Sequence, residues 1–164
     1  MRKSILGSAL FLAMVAGTPA QSANIVETAQ SAGTFGTLLA AAQAAGLAGA
    51  LAEGQNLTVF APNDAAFAAL PAGTVENLLK PENKDQLAAI LSYHVLPRVL
   101  TSNQLPGRTI HIRTIKGTGD GLLAITKNGA TGAVEVDGAN VVAADIRADN
   151  GVIHVIDKVM LPTD

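Results

Sequence analysis

The chain has no cysteine and no tryptophan, and it carries a single tyrosine and four phenylalanines in 164 residues. Without cysteine there is no disulfide, no thiol nucleophile and no sulfur to bear a lipid anchor, so the fold has to hold by packing alone. The scarcity of aromatics argues against a cofactor pocket, which such rings commonly line. Beyond residue 23 only Phe35, Phe60, Phe67 and Tyr93 remain, and all three phenylalanines sit at positions that suit a core. Charge is sparse as well. The formal net charge is -2 and beyond residue 23 the basic residues stand singly, which leaves no electrostatic footprint for nucleic acid.

Signatures of catalysis are missing too. No two of the three histidines stand at metal-ligand spacing, and neither an HExxH run nor a G-x-S-x-G elbow occurs. The segment Gly117 to Gly121, GTGDG, lacks the lysine and following helix of a phosphate-binding loop and reads as a hairpin loop. Asp145, Asp149 and Asp157 fall near one turn, where solvated carboxylates are ordinary. No nucleophile, base and orienting group can be named together, so neither enzymatic activity nor a cofactor or metal is expected.

What is present begins with an export signal. Arg2 and Lys3 precede an apolar stretch from Ile5 to Val15 and then the small residues of GTPAQSA, the pattern of a secretory leader over residues 1–23, with cleavage after Ala20 or Ala23. The apolar stretch is shorter than the roughly 20 residues of a spanning helix, and no second such run follows. Residues 24–164 then make one domain of ordinary size. The product is expected outside the cytoplasm, in the periplasm or beyond the cell, with no membrane span.

The first half reads as helices and the second as strands. Asn24 with Glu27 forms a capping-box pattern, and Asn83 with Gln86 repeats it. Phe35, Leu38, Leu39 and Ala42 recur at helical spacing up to a stop at Gly46, and a short helix follows over Leu47 to Glu53. Thr58 to Phe60 suit a strand, Pro62 ends it, and Asn63 or Asp64 caps a helix carrying Phe67 and Leu70. Strands are predicted over Thr109–Lys116, Leu122–Lys127, Ala133–Val136, Ala139–Ile146 and Val152–Asp157. Asn128-Gly129, Asp137-Gly138 and Asn150-Gly151 fall between them as hairpin dipeptides, so the second half reads as an antiparallel meander. Helices segregated from such a sheet give an α+β domain.

Two histidines draw attention. Leu87, Ile90, Leu91 and His94 stand at i, i+3, i+4 and i+7, which puts His94 on the apolar face of its helix, while Tyr93 falls toward the edge of that face. His154 shares an alternating set with Val152 and Ile156 in a strand whose two faces are both apolar. Both are expected inside, neutral and hydrogen-bonded, in structural roles. His111 is expected to look outward.

The segments LTVFAPNDAAFAAL, LSYHVLP and NGVIHVIDKVMLP, in that order and spacing, resemble the landmark segments of the fasciclin (FAS1) domain family over about Asn24 to Pro162. The resemblance implies an antiparallel β-sandwich-like wedge with helices packed along it, and a single-domain secreted protein of bacterial type. It also implies a role in cell adhesion through contact with a cell-surface or extracellular-matrix protein. Animal relatives are linked to integrin binding through a tyrosine-histidine segment, matched here by Tyr93-His94, and through an Asp-Ile pair, matched here by Asp145-Ile146. The flanks of that pair depart from the animal pattern: Ala143-Ala144 precede it and Arg147 follows. On this reading Asp145, Ile146 and Tyr93 are candidate partner-binding residues and His94, His154 and Asp64 are structural. Asp145→Ala is then expected to leave the fold nearly intact. One site on one domain cannot bridge two surfaces, so direct adhesion requires self-association or a second face. A periplasmic small-ligand carrier with a pocket between helices and sheet is the alternative, and an enzyme comes third.

Overall fold

The computed structural model describes residues 23–115 and 121–161. Residues 1–22, which hold nearly all of the leader expected over 1–23, and most of the GTGDG loop lie outside them. Three helices open the domain, α1 (Ile25–Ala32), α2 (Gly36–Ala45) and α3 (Ala48–Glu53). Strand β1 (Leu57–Pro62) follows, then α4 (Asp64–Ala68), α5 (Thr74–Leu78) and α6 (Lys84–Tyr93). The remaining strands are β2 (Val95–Leu96), β3 (Thr109–Arg113), β4 (Leu122–Lys127), β5 (Val134–Val136), β6 (Ala139–Ala148) and β7 (Gly151–Ile156).

Local chemistry explains most of these boundaries. Asn24 and Glu27 close the predicted capping box on α1, each satisfying a backbone N–H that the helix leaves orphaned. Gly46 ends α2 in the left-handed conformation, φ 74°. Asn63 caps α4 by accepting from the Ala66 N–H at 2.8 Å, which frees Asp64 for another helix. Its carboxylate accepts from the Thr37 N–H at 3.0 Å and so caps the first turn of α2, whose own N-cap, Phe35, has no polar atom to offer. The second expected box does not form: Asn83 turns its amide to Asn77, and α6 starts without a side-chain cap.

The strands run in the order β2-β1-β7-β6-β5-β4-β3. From β3 to β7 every neighbouring pair is antiparallel, as the turn dipeptides predict. The sheet as a whole is mixed, because β1 joins β7 in parallel, Leu57 opposite Gly151 through Pro62 opposite Ile156. A parallel neighbour cannot be reached by a hairpin, and the helices α4 to α6 together with the meander supply the long connection. At the far end the Ile115 N–H donates to the Val95 carbonyl at 3.0 Å, so the sheet curls almost into a barrel. Of the three turn dipeptides only Asp137-Gly138 has positive φ at both residues, 48° and 80°, the type I′ signature.

Strand β7 is buried along its whole length, which its two apolar faces predict. Ile153 and Val155 meet α1, α2 and α6 in one core that contains Phe35, Phe67, Leu87 and Leu91. Ile156 faces a second core inside the wedge, built from Phe60, Leu96, Leu123, Ile125 and Val136. Burying each such side chain contributes roughly 1.5–3 kcal/mol, the main favourable term in a chain with no covalent staple.

Asn150 ties the two ends of this arrangement together. Its Oδ1 accepts from the Ile25 N–H at 2.8 Å, and its Nδ2 donates to the carbonyls of Leu51 at 2.8 Å and Gly54 at 2.7 Å. One side chain thus completes the start of α1, the end of α3 and the β6-β7 turn. Asn150→Ala strands these groups together and is expected to cost about 2 kcal/mol in equilibrium denaturation. A loss below about 0.5 kcal/mol would show that water replaces the amide without penalty.

Candidate functional site

The landmark residues converge on the segment 97–105, which crosses the open end of the wedge as a strap. Thr58, fully buried on β1, donates its hydroxyl to the Arg98 carbonyl at 2.7 Å and accepts from the Leu100 N–H at 2.8 Å. His154 donates Nε2–H to the Leu100 carbonyl at 2.7 Å. Lys127 donates to the Ser102 carbonyl at 2.9 Å, while the backbone N–H of Ser102 donates to Asp145 Oδ1 at 2.8 Å and its hydroxyl donates to Oδ2. The strap is held from β1, β7, β4 and β6 at once.

Asp145 owes its position to a bulge. The β6-β7 register passes from Ala143 opposite Val155 to Ile146 opposite Ile153, so β6 carries one extra residue there. The bulge sets Asp145 at φ 58°, a left-handed conformation that aspartate tolerates better than most residues. It also takes the Asp145 N–H out of the ladder, and His154 Nδ1 accepts it at 3.2 Å. With Nδ1 accepting and Nε2 donating, the neutral tautomer is determined, and the ring stacks on Phe60 with centroids 5.4 Å apart. Burial lowers the His154 pKa below its ordinary value, which the Leu100 carbonyl and Asp145 oppose without reversing. Partial burial pushes the Asp145 carboxyl up, but its two hydrogen bonds from Ser102 outweigh this and hold it below the usual carboxylate range.

His94 plays the corresponding part at the other end of the domain with the opposite tautomer. Its Nδ1–H donates to the Ile90 carbonyl at 2.7 Å and its Nε2 accepts from the Met160 N–H at 2.9 Å, joining the end of α6 to the C-terminal segment. Burial pulls its pKa from 6.5 down to about 4, against the Ile90 carbonyl and the charge of Asp137. Both histidines are buried with both ring nitrogens hydrogen-bonded, and the Asp64 carboxylate accepts from the Thr37 N–H.

Of the three residues read as partner-facing, Tyr93 is buried and Asp145 and Ile146 are half-buried. Tyr93 is only 4 % exposed, because α6 is wedged between the two cores and the face expected at its edge is covered by the second one. Its hydroxyl donates to the Asp137 carboxylate at 3.1 Å, with the Leu122 carbonyl 3.3 Å away. Ile146 is half-buried against the first core. Asp145 is half-buried with both carboxylate oxygens engaged by Ser102, so Asp145→Ala is expected to remove two of the bonds that hold the strap. What does face solvent beside the strap is an open cleft of about 260 Å³ lined by Asn56, Val99, Thr101, Arg147 and Asp149. Arg147 and Asp149 are exposed.

Nothing in this site assembles a reaction centre. The Ser102 hydroxyl donates to a carboxylate rather than to a base, and the ring nitrogens of His94 and His154 are committed to backbone groups. Asp157 binds Asn140 and Asp145 binds Ser102, so the carboxylates that neighbour in sequence do not converge. Among the described residues no group of three or more His, Asp or Glu side chains could hold a metal ion. Sequence reasoning missed Ser102 and Asn150. Thr58 was legible in principle, as the one polar residue in the alternating set it shares with Phe60.

The architecture is that of a mixed-sheet wedge clasped by helices, and the comparisons give it a family. A model of the Fasciclin domain matches residues 33–162, and the chain belongs to the fasciclin domain family. It is 50% identical over 138 residues to protein sll1483 of a Synechocystis species, spanning 84% of this chain and 73% of that one. To the transforming growth factor-beta-induced protein ig-h3 of Sus scrofa it is 41% identical over 128 residues, 78% of this chain and 18% of that much longer one. Among solved structures, a FAS1 domain pair from the insect cell adhesion molecule fasciclin I superposes with a TM-score of 0.70 at 19% identity, over 85% of this chain and 51% of the pair. Among the described residues no helix is long and apolar enough to cross a membrane.

Proposed function

We propose that this domain is an exported, noncatalytic adhesion module. It binds a cell-surface or extracellular-matrix protein, or a second copy of itself, through the face formed by the strap and the end of β6. The observation that carries the reading is the convergence of four strands on residues 97–105. That segment is held there by at least six hydrogen bonds and by the buried side chains of Leu100 and Leu105, beside an open polar cleft. Rigidity lowers the ordering cost of association, and polar cleft walls suit a protein partner. The likeness to an insect cell adhesion molecule supports the same class of function.

Within this face Asp145 and Ile146 form the rim and Arg147 makes direct contact, while Tyr93 and His94 lie buried away from it. Arg147→Ala is expected to unfold like wild type and to weaken attachment of cells to the immobilised domain by roughly tenfold, as for a contact worth about 1.4 kcal/mol. Asp145→Ala is expected to lose both binding and about 2 kcal/mol of stability, while Asp145→Asn, which tolerates the same backbone, retains most of the latter. Wild-type attachment by a folded Arg147→Ala variant would move the interaction to another face.

A further inference from the structure

We infer that the domain has an apolar slot between its first three helices and the sheet that accepts a linear alkyl chain, a site separate from the strap face. Two cavities lie there. One of about 30 Å³ is lined by Ile25, Ala29, Leu38, Val59 and Ile153 among others. The second, of about 90 Å³, runs between Leu47, Ala50, Gly54, Leu57 and Ile115. Leu51, Leu91 and Val95 line both, so a single layer of side chains separates them. His94 also borders the first, but both its nitrogens are engaged elsewhere and it presents only its ring.

A buried water needs two to four polar partners, and these walls offer none, so the slot favours an apolar occupant over solvent. Together the cavities approach the size of the roughly 150 Å³ apolar cavity that takes up benzene. Two small lobes that adjoin across one shared wall suit a narrow chain better than a wide cage.

The wall between them is movable on one side only. Leu91 and Val95 are buried and belong to α6 and β2, whereas Leu51 is half-buried on α3, a six-residue helix with no fully buried residue. Gly46 and Gly54 flank that helix, and the Asn150 amide latches its end through the Leu51, Ala52 and Gly54 carbonyls. Rotation of the Leu51 side chain joins the two cavities without disturbing the sheet.

The test is a methyl NMR titration of the purified protein with 1-hexanol, using 1-adamantanol as a cage of similar polarity but excessive width. Saturable shifts are expected at Leu51, Leu91 and Val95 with hexanol and none with adamantanol. Ala50→Phe places a ring in the wider cavity from an exposed position and is expected to weaken hexanol binding by roughly tenfold with little change in thermal unfolding. Leu51→Ala removes the wall and is expected to admit adamantanol. Shifts that grow linearly without saturation, that map to Leu123 and Val136 in the second core, or that respond equally to both alcohols in wild type would overturn the site. None of these outcomes bears on Arg147 or on attachment, so the slot and the strap face stand or fall separately.

Discussion

Gly151→Ala is expected to cost on the order of 4 kcal/mol and to leave the domain largely unfolded at moderate denaturant, the largest effect expected of a methyl added at any described glycine. The reason is space and not backbone conformation. Gly151 stands opposite Leu57 in the one parallel ladder, and a Cβ built on it would fall inside the Leu57 carbonyl oxygen and within 2.9 Å of Ile25 Cδ1. Neither neighbour can retreat cheaply. The Leu57 backbone is held by β7 and by its own N–H bond to the Asn150 carbonyl at 3.2 Å, while Ile25 is buried at the first turn of α1. Gly132 supplies the control. Its φ is 74° and nothing lies within 4 Å of its Cβ position, so Gly132→Ala meets only the left-handed penalty of roughly 1–2 kcal/mol. Urea midpoints of the two variants at unchanged m-value decide the matter. Equal losses would mean that β1 and β7 can part far enough to admit a methyl, and the parallel ladder would not be the rigid seam of the fold.

The same position shows how far the sequence could be read. Asn150-Gly151 reads as a hairpin signal, and a turn does lie there, but Gly151 is required by an approach from β1, some ninety residues away in the chain and invisible to any local pattern. Periodicity placed His94 and His154 indoors because the apolar spacing around each is regular and burial follows it directly. It placed Tyr93 wrongly at an edge, since a helix packed between two cores has no edge on that side, and the second core is contributed by strands that follow it. The Asp145 bulge escaped for a related reason. An extra residue in a strand changes which side chains share a face, and only the partner strand reveals it. The family landmarks identified the fold without revealing that their polar residues converge on the strap: Thr58, Ser102, Asp145 and His154 lie in four separate segments, each unremarkable alone.

Acid is expected to destabilise the domain well before its carboxylates protonate. His94 has a native pKa of about 4 against 6.5 in a free chain, so between those values the unfolded state takes up a proton that the native state refuses. A histidine lowered on folding gives its full stability above pH 6.5 and loses it as pH falls toward 4, at up to about 1.4 kcal/mol per pH unit, for a total of about 3 kcal/mol. His154 is lowered by burial in the same direction and steepens the loss over part of the same window. Asp145, also held below its usual value, contributes only under pH 3.8. Against a typical total of about 5–15 kcal/mol, the loss of about 3 kcal/mol from His94 alone removes a substantial share of the stability by pH 4. Protonation of His154, which burial postpones to below its ordinary range, also ends its role as acceptor for the Asp145 N–H and loosens the bulge under the strap, so attachment through that face is expected to fade in acid. Urea denaturation from pH 7.5 to 4 is the measurement, with His94→Gln as the comparison. That variant is expected to be less stable at neutral pH, having lost shape and one of two hydrogen bonds, yet to show a shallower slope because one titrating group is gone. A wild-type stability that stays flat from pH 7 to pH 4 would mean that the C-terminal segment yields and lets water reach the imidazole, and Met160 would then be a loose end and not an anchor for α6.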